Sequence, residues 1–289
     1  MRSLLFVPAD SEKKLAKGLE SGADALILDL EDSVSAANKP LARETARAFL
    51  ATHAERKDRP LLMVRVNALD TGLTDDDLAA IVGARPDAIM LPKSESGRDV
   101  VHLDAKLTAQ EAIAGLPEGQ ITITVVATET AKAIFTLGTY QGASPRLAGL
   151  TWGAEDLSAD IGAETNRGED GRHTEPFRLA RALCLMGAVA AGAQPIDTVF
   201  PAFRDLDGLK RECEEARRDG FTAKMAIHPA QVPVINEVFT PTDQAIAAAE
   251  AVVAAFAAQP TAGVVNIGGE MFDRPHLTRA ERLLKRAGR

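Results

Sequence analysis

The chain has only two cysteines, Cys184 and Cys213, and they form no C-x-x-C pair. Two such thiols cannot build a disulfide framework or a zinc ribbon, so a packed core in a reducing, cytoplasmic setting is expected. Histidine is also scarce: His53, His102, His173, His228 and His276 show neither H-x-H nor H-E-x-x-H spacing. A histidine-bound zinc centre is therefore disfavoured. Positive charge is in deficit, with 33 Lys and Arg against 41 Asp and Glu, a formal net of -8. That balance repels phosphate backbones and anionic membranes, so neither nucleic acid nor membrane is expected as a partner. The longest apolar region, Ala245 to Ala258, is alanine-rich and broken by Glu250, which reads as a packed helix and not a membrane span. At the start, the apolar run of Met1 to Pro8 meets Asp10, Glu12, Lys13 and Lys14 too soon for a signal peptide, and it reads as a strand.

What is present is enough apolar sequence for a large core: 289 residues, 46% hydrophobic and 26% charged. That length suits either two domains of about 150 residues or one α/β barrel of about 250. Order along the chain decides between them. Short apolar runs recur at Ser3 to Val7, Ala25 to Leu30, Leu61 to Val66, Ala88 to Leu91, Ile121 to Val126, Leu147 to Thr151, Asp197 to Phe200 and Ala223 to Ile227. Helical segments separate them, among them Ser11 to Ser21 with Ser11 as N-cap, and Lys39 to His53 with Pro40 in the first turn. Buried strands joined by helices imply a parallel sheet covered on both faces, and eight such units predict a (β/α)8 TIM barrel over residues 1–240. A doubly wound sheet is the runner-up, but the first strand ends Pro8-Ala9-Asp10-Ser11 with no Gly-rich dinucleotide loop. Residues 241–289 exceed a barrel's needs. Ala245 to Ala258 and Leu277 to Lys285 read as helices joined by a flexible Gly263 to Arg274 segment, a C-terminal lid or oligomerisation extension.

In such a barrel the chemistry belongs at the C-terminal ends of the strands. There the sequence reads Asp29-Leu30-Glu31-Asp32-Ser33, Arg65-Val66-Asn67, Pro92-Lys93, Thr128-Glu129-Thr130, Trp152-Gly153-Ala154-Glu155-Asp156 and His228-Pro229. Carboxylates at neighbouring strand ends, beside an arginine, suit a hard divalent cation, Mg2+, and an anionic substrate. Each residue also has a plainer reading. Asp156 could cap the next helix, Arg65 could form a buried ion pair, Lys93 could be a Schiff-base lysine or ion-paired scaffolding, and His228 could pack beside Pro229. The segment Asn166 to Thr174 reads as a mobile loop.

These motifs, together with Leu5-Phe6-Val7-Pro8-Ala9 and Ile227-His228-Pro229, resemble the citrate lyase β-subunit-like branch of the HpcH/HpaI aldolase superfamily, which includes malyl-CoA and citramalyl-CoA lyases. The resemblance spans nearly the whole chain. It implies that Glu129 and Asp156 hold Mg2+, that Arg65 binds the carboxylate of a 2-oxo acid, and that Asp29 and Glu31 hold metal-bound waters in a network that involves one or the other as the base, with Asp32 orienting that network. His228 joins the substrate-side candidates. Arg2, Lys14, Lys39 and Arg43 fall where relatives meet coenzyme A phosphates. Gly269 to Leu277 resembles the lid of the acyl-CoA lyases, so Asp273 would be the acid or base at the acyl carbon, lent by a neighbouring subunit of a homo-oligomer, a trimer or hexamer. The implied activity is reversible cleavage of a 3-hydroxyacyl-CoA, such as malyl-CoA or citramalyl-CoA, to acetyl-CoA and a 2-oxo acid. Thioester hydrolysis of the malyl-CoA thioesterase type, and a citrate lyase β subunit converting citryl-ACP to oxaloacetate and acetyl-ACP, are the alternatives.

Overall fold

A computed structural model describes residues 1–289. Eight parallel strands close into a barrel in sequential order, β1 pairing with both β2 and β8. The strands are β1 (Ser3–Pro8), β2 (Ala25–Asp29), β3 (Leu61–Arg65), β4 (Ala88–Leu91), β5 (Thr122–Val126), β6 (Leu147–Thr151), β7 (Gln194–Asp197) and β8 (Ala223–Ala226). Around them run α1 (Glu12–Leu19), α2 (Lys39–His53), α3 (Thr74–Ile81), α4 (Gly97–Ile113), the one-turn α5 (Ala131–Ile134), α6 (Ala154–Ile161), α7 (Glu175–Ala191), α8 (Leu206–Asp219) and α9 (Val232–Phe239).

Alternation along each strand explains why the runs look uniformly apolar. Leu4, Ala25, Ile27, Met63, Met90, Ile196 and Met225 form one buried cluster, whereas their neighbours Leu26, Leu28, Leu62, Val64 and Ile89 are equally buried on the other face of each strand. Both faces of the sheet are buried, as a barrel within a helical shell requires. Polar residues start the helices. Ser96 and Asp99 form a capping box on α4, and Asp205 caps α8 by accepting from the Gly208 amide. Ser11 stands at the N-cap position of α1, although its side chain makes no capping bond.

One strand lies earlier than its sequence suggests. The seventh apolar run reads as Asp197 to Phe200, yet β7 is Gln194–Asp197 and Asp197 ends it. Pro195 argues against a strand interior, but here it falls next to the first residue, where a missing N–H is tolerated.

The chain divides into two compact units, Met1–Asn236 and Glu237–Arg289, the division falling within α9. The second contains α10 (Asp243–Ala258), a two-stranded antiparallel hairpin of β9 (Val264–Ile267) and β10 (Glu270–Asp273), and α11 (Arg274–Arg286). The segment expected to be a flexible connector is thus paired. Gly268 and Gly269 make its turn with φ of 62° and 92°, a region open to glycine. Val252, Phe256, Val265 and Ala280 form the unit's own small core. No helix is long and apolar enough to cross a membrane.

Candidate active site

The ends of β2 to β6 converge on an acidic cup. Arg65, the last residue of β3, is its central cation: Nε and Nη2 donate to the two oxygens of Asp29, each at 2.7 Å, and Nη1 lies 3.0 Å from Glu31 Oε2. Its guanidinium lies over the Phe6 ring, 4.8 Å from the centroid. Of five N–H donors, three face Asp29 and Glu31 and two remain. Burial works against the charged guanidinium, but Asp29 and Glu31 overcome it and raise its pKa above the ordinary value.

Asp29 has no spare capacity. Its Oδ1 also accepts from the Glu31 amide at 2.9 Å, and its Oδ2 from the Ser33 amide at 3.1 Å. Burial alone would raise its pKa, yet the Arg65 bonds hold it below the usual carboxylate range. In this arrangement Asp29 fixes Arg65, and an ionised carboxylate with four donors takes up protons poorly. Glu31 differs, because burial pushes its pKa up despite Arg65 and Lys93, and it is the better proton acceptor.

Lys93 follows β4 with a left-handed φ of 50°. In that conformation its amide donates to Glu129 Oε2 while its ammonium lies 2.5 Å from Glu31 Oε1 and 3.4 Å from both Asp32 and Asp156. The lysine is therefore ion-paired scaffolding. Asp32 is the exposed member of the group, and Arg65 is 3.9 Å from it.

Glu129 is 4% exposed, and burial together with the nearby Asp156 carboxylate pushes its pKa up to about 8. Space for it comes from Gly153, where an added Cβ would lie 2.7 Å from Glu129 Cγ. Asp156 sits in the first turn of α6, whose N-cap is Gly153, so it is not the capping residue. A buried carboxyl with a raised pKa beside a second, partly exposed carboxylate fits a hard cation. The acidic and imidazole side chains form no cluster of three or more suited to a metal, so a cation here would take the two carboxylates and fill its other positions from water or substrate.

Other expected residues fall elsewhere. His228 accepts from the Ala230 amide through Nδ1 and stacks on Phe203 at 4.8 Å, which is the packing role. Arg2 precedes β1, at the opposite end of the barrel from the cup, where it pairs with Asp24 at 2.7 Å; it does not reach a ligand at the strand ends. Arg43 is tied to Asp77 at 2.7 Å. The Lys39 ammonium is bonded to three oxygens, the Leu30 and Glu31 carbonyls and Asn67 Oδ1, at 2.7, 2.8 and 2.7 Å, so its donors are directed within the chain. Lys14 stays exposed on α1. Asp273 lies in the second unit, where it N-caps α11 and pairs with His276 Nδ1.

The loop at Asn166 to Thr174 is closed by an Arg167–His173 bridge and a Thr174 amide to Asn166 carbonyl bond of 3.1 Å. Beside it a cavity of about 970 Å³, reaching to α7 and α8, is lined by Arg167, His173 and Glu212 and by none of Asp29, Arg65, Glu129 or Asp156. Sequence reasoning missed the buried group beneath that cavity. Asp197 Oδ1 accepts from Trp152 Nε1 at 2.7 Å, and Lys224, fully buried, bridges Asp197 and Glu212 at 2.9 and 2.8 Å. A lysine inside the apolar run Ala223-Lys224-Met225-Ala226 is the signal that could have found it.

Fold and cup together define a carbon–carbon lyase on a TIM barrel. Residues 2–229 match the family HpcH/HpaI aldolase/citrate lyase, and residues 178–289 match the C-C bond lyase of the TIM-barrel fold. The chain belongs to the HpcH/HpaI aldolase/citrate lyase family. It is 35% identical to a citrate lyase subunit beta-like protein of Mycobacterium tuberculosis, covering 98% of this chain and 94% of that one. Identity is 36% to a (3S)-malyl-CoA thioesterase of Cereibacter sphaeroides, over 99% and 94% of the two chains. Among solved structures, CitE from M. tuberculosis in complex with magnesium, acetoacetate and coenzyme A superposes with a TM-score of 0.76 at 34% identity, over 100% of this chain and 98% of that one. The citrate lyase beta subunit complexed with oxaloacetate and magnesium, also from M. tuberculosis, gives 0.69 at 33% identity, over 83% and 96%.

Proposed function

We propose that the protein is a Mg2+-dependent lyase that reversibly cleaves a 3-hydroxyacyl-CoA, malyl-CoA or citramalyl-CoA or a close analogue, to acetyl-CoA and glyoxylate or pyruvate. The observation that carries this reading is Arg65, fixed by Asp29 with two N–H donors to spare, beside the Glu129 and Asp156 carboxylates. Solved relatives with magnesium and a 2-oxo or 3-oxo acid support it.

Mg2+ held by Glu129 and Asp156 would supply Lewis acidity and orientation at the 2-hydroxy acid oxygens. Arg65 binds the carboxylate of that fragment through its remaining donors. Glu31, ionised between Arg65 and Lys93 and made a stronger base by burial, takes the hydroxyl proton as the bond between the carbinol and α-carbons breaks. The bonding pair passes to the acyl fragment as an enolate, and Asp273, lent by a neighbouring subunit of a trimer or hexamer, returns a proton to its carbon. Lys14 is the remaining exposed cation for a coenzyme phosphate. The setting is the cytoplasm.

A coupled assay of purified protein with these thioesters tests the reading. It fails if none is turned over and Glu129→Ala leaves Mg2+ affinity unchanged. Relatedness to the malyl-CoA thioesterase favours one second outcome, hydrolysis, which free malate and CoA without acetyl-CoA would reveal. Activity only on a carrier-bound citryl thioester would instead select the citrate lyase β-subunit role.

A further inference from the structure

The Lys39 ammonium has its donors directed at three oxygens drawn from two strand ends. Two are the consecutive carbonyls of Leu30 and Glu31 after β2, and the third is the amide oxygen of Asn67 after β3. Asn67 is itself held from behind. Its backbone N–H and its Nδ2 both donate to Asp77 Oδ2, at 2.8 and 2.7 Å, and Nδ2 also lies 3.2 Å from the Leu30 carbonyl. Asp77 is fully buried on α3, and its other oxygen accepts from Arg43 Nε at 2.7 Å. Arg43, Asp77, Asn67 and Lys39 thus form one connected chain of bonds that ends on the backbone carrying Glu31.

Turning both carbonyls toward Lys39 leaves the Glu31 side chain directed the other way, onto Arg65 Nη1 and Lys93 Nζ. The Leu30 amide donates to the Arg65 carbonyl at 2.9 Å, so the same backbone also carries the arginine's strand. A solvated lysine on a helix surface needs none of this. Holding a half-buried ammonium against three acceptors is favourable only when all are well aligned, and such fixed groups set the orientation of the side chains they support.

We propose that Lys39 is a positioning residue for 2-oxo acid binding: it clamps the ends of β2 and β3 so that Glu31 and Arg65 present the arginine's two remaining donors at a fixed angle. This rests on the functional reading above, in which Arg65 receives the oxo acid carboxylate, and it gives Lys39 a role apart from coenzyme recognition.

The test uses full-length protein with Mg2+ and three probes, pyruvate, oxaloacetate and CoA, followed by calorimetry, together with the Arg65 Nε–H signal in nitrogen-15 spectra. Lys39→Gln is expected to weaken oxo acid binding roughly 10–100-fold while CoA affinity stays unchanged, with partial recovery in Lys39→Arg. In turnover the same variant raises KM for the oxo acid more than it lowers kcat. The Arg65 Nε–H signal moves in Lys39→Gln and returns toward its original position in Lys39→Arg. Asp77→Asn, which loosens the clamp from its far end, gives a smaller change in the same direction and serves if Lys39→Gln folds poorly. Unchanged oxo acid affinity, or a loss confined to CoA, overturns the proposal. If the wild-type protein binds no 2-oxo acid, the functional reading falls, and the Arg65 signal still decides whether Lys39 sets the arginine.

Discussion

Arg65→Met tests the electrostatics of the cup most directly. Methionine keeps an unbranched stem over Phe6 and deletes the charge that Asp29 and Glu31, 1% and 5% exposed, are built around. Removing one partner of a buried ion pair costs about 3–5 kcal/mol, because the other charge is left uncompensated. For a unit of this size each kcal/mol moves the melting midpoint by roughly 2–4 °C, so a fall of about 6–20 °C is expected near neutral pH. The sign with pH follows from Asp29. With Arg65 present its pKa lies below the ordinary value, so the pair stabilises the fold above the unfolded carboxylate pKa of about 3.9 and that stability is lost as pH falls through the lowered value. Without Arg65 only the Glu31 and Ser33 bonds oppose burial, Asp29 moves upward, and acid relieves the penalty. Calorimetric melts between about pH 3.5 and 8 should therefore converge on the acid side and separate above it. A midpoint within about 2 °C of wild type at neutral pH, or a gap that widens in acid, would refute the reasoning.

Glu129→Gln is expected to raise the melting temperature in chelator at about pH 9 and to change it little at pH 5. Burial raises the Glu129 pKa to about 8, so the fold loses stability as pH climbs from the unfolded carboxyl value to that point, and glutamine removes the loss; equal gaps at both pH values would contradict this. Gly153→Ala places a Cβ 2.7 Å from Glu129 Cγ and should weaken Mg2+ binding by calorimetry at a stability cost of about 1–3 kcal/mol. Asp197→Ala leaves Lys224 buried beside Glu212 and removes the acceptor of Trp152 Nε1, so a loss of about 3–5 kcal/mol in urea melts with shifted tryptophan emission is expected. Arg2→Ala should leave CoA binding by calorimetry unchanged, because Arg2 lies at the other end of the barrel.

The barrel was legible because its strands are buried on both faces and so stand out as apolar runs, each followed by polar residues at the end that carries chemistry. Arg65 and Glu129 could be picked out as charges at such ends. What could not be read was direction within a cluster. The motif around Asp29, Glu31 and Asp32 has three carboxylates in four residues, and only the fold shows that one is spent on Arg65, one lies buried between two cations and one faces solvent. Lys39 looked like a surface cation because the carbonyls that bind it carry no trace in a side-chain sequence. Asp197 escaped because the seventh apolar run put it at the start of a strand that it in fact ends, and Lys224 because it lies inside β8 and not at the strand end where polar residues were sought. The hairpin was hidden by its glycines, which signal a turn and equally signal slack.

Lys93 gives the site a mechanical property as well as a charge. A non-glycine residue in the left-handed region carries a conformational cost of order 1–2 kcal/mol. One backbone setting directs an N–H toward Glu129 and a side chain toward Glu31, Asp32 and Asp156, so strands β2, β4, β5 and β6 are registered by a single pair of dihedral angles. Replacement by glycine would relax that angle and release the coupling together. Choosing residues at this position for backbone relaxation alone would therefore discard the side chain that keeps four strand ends in step.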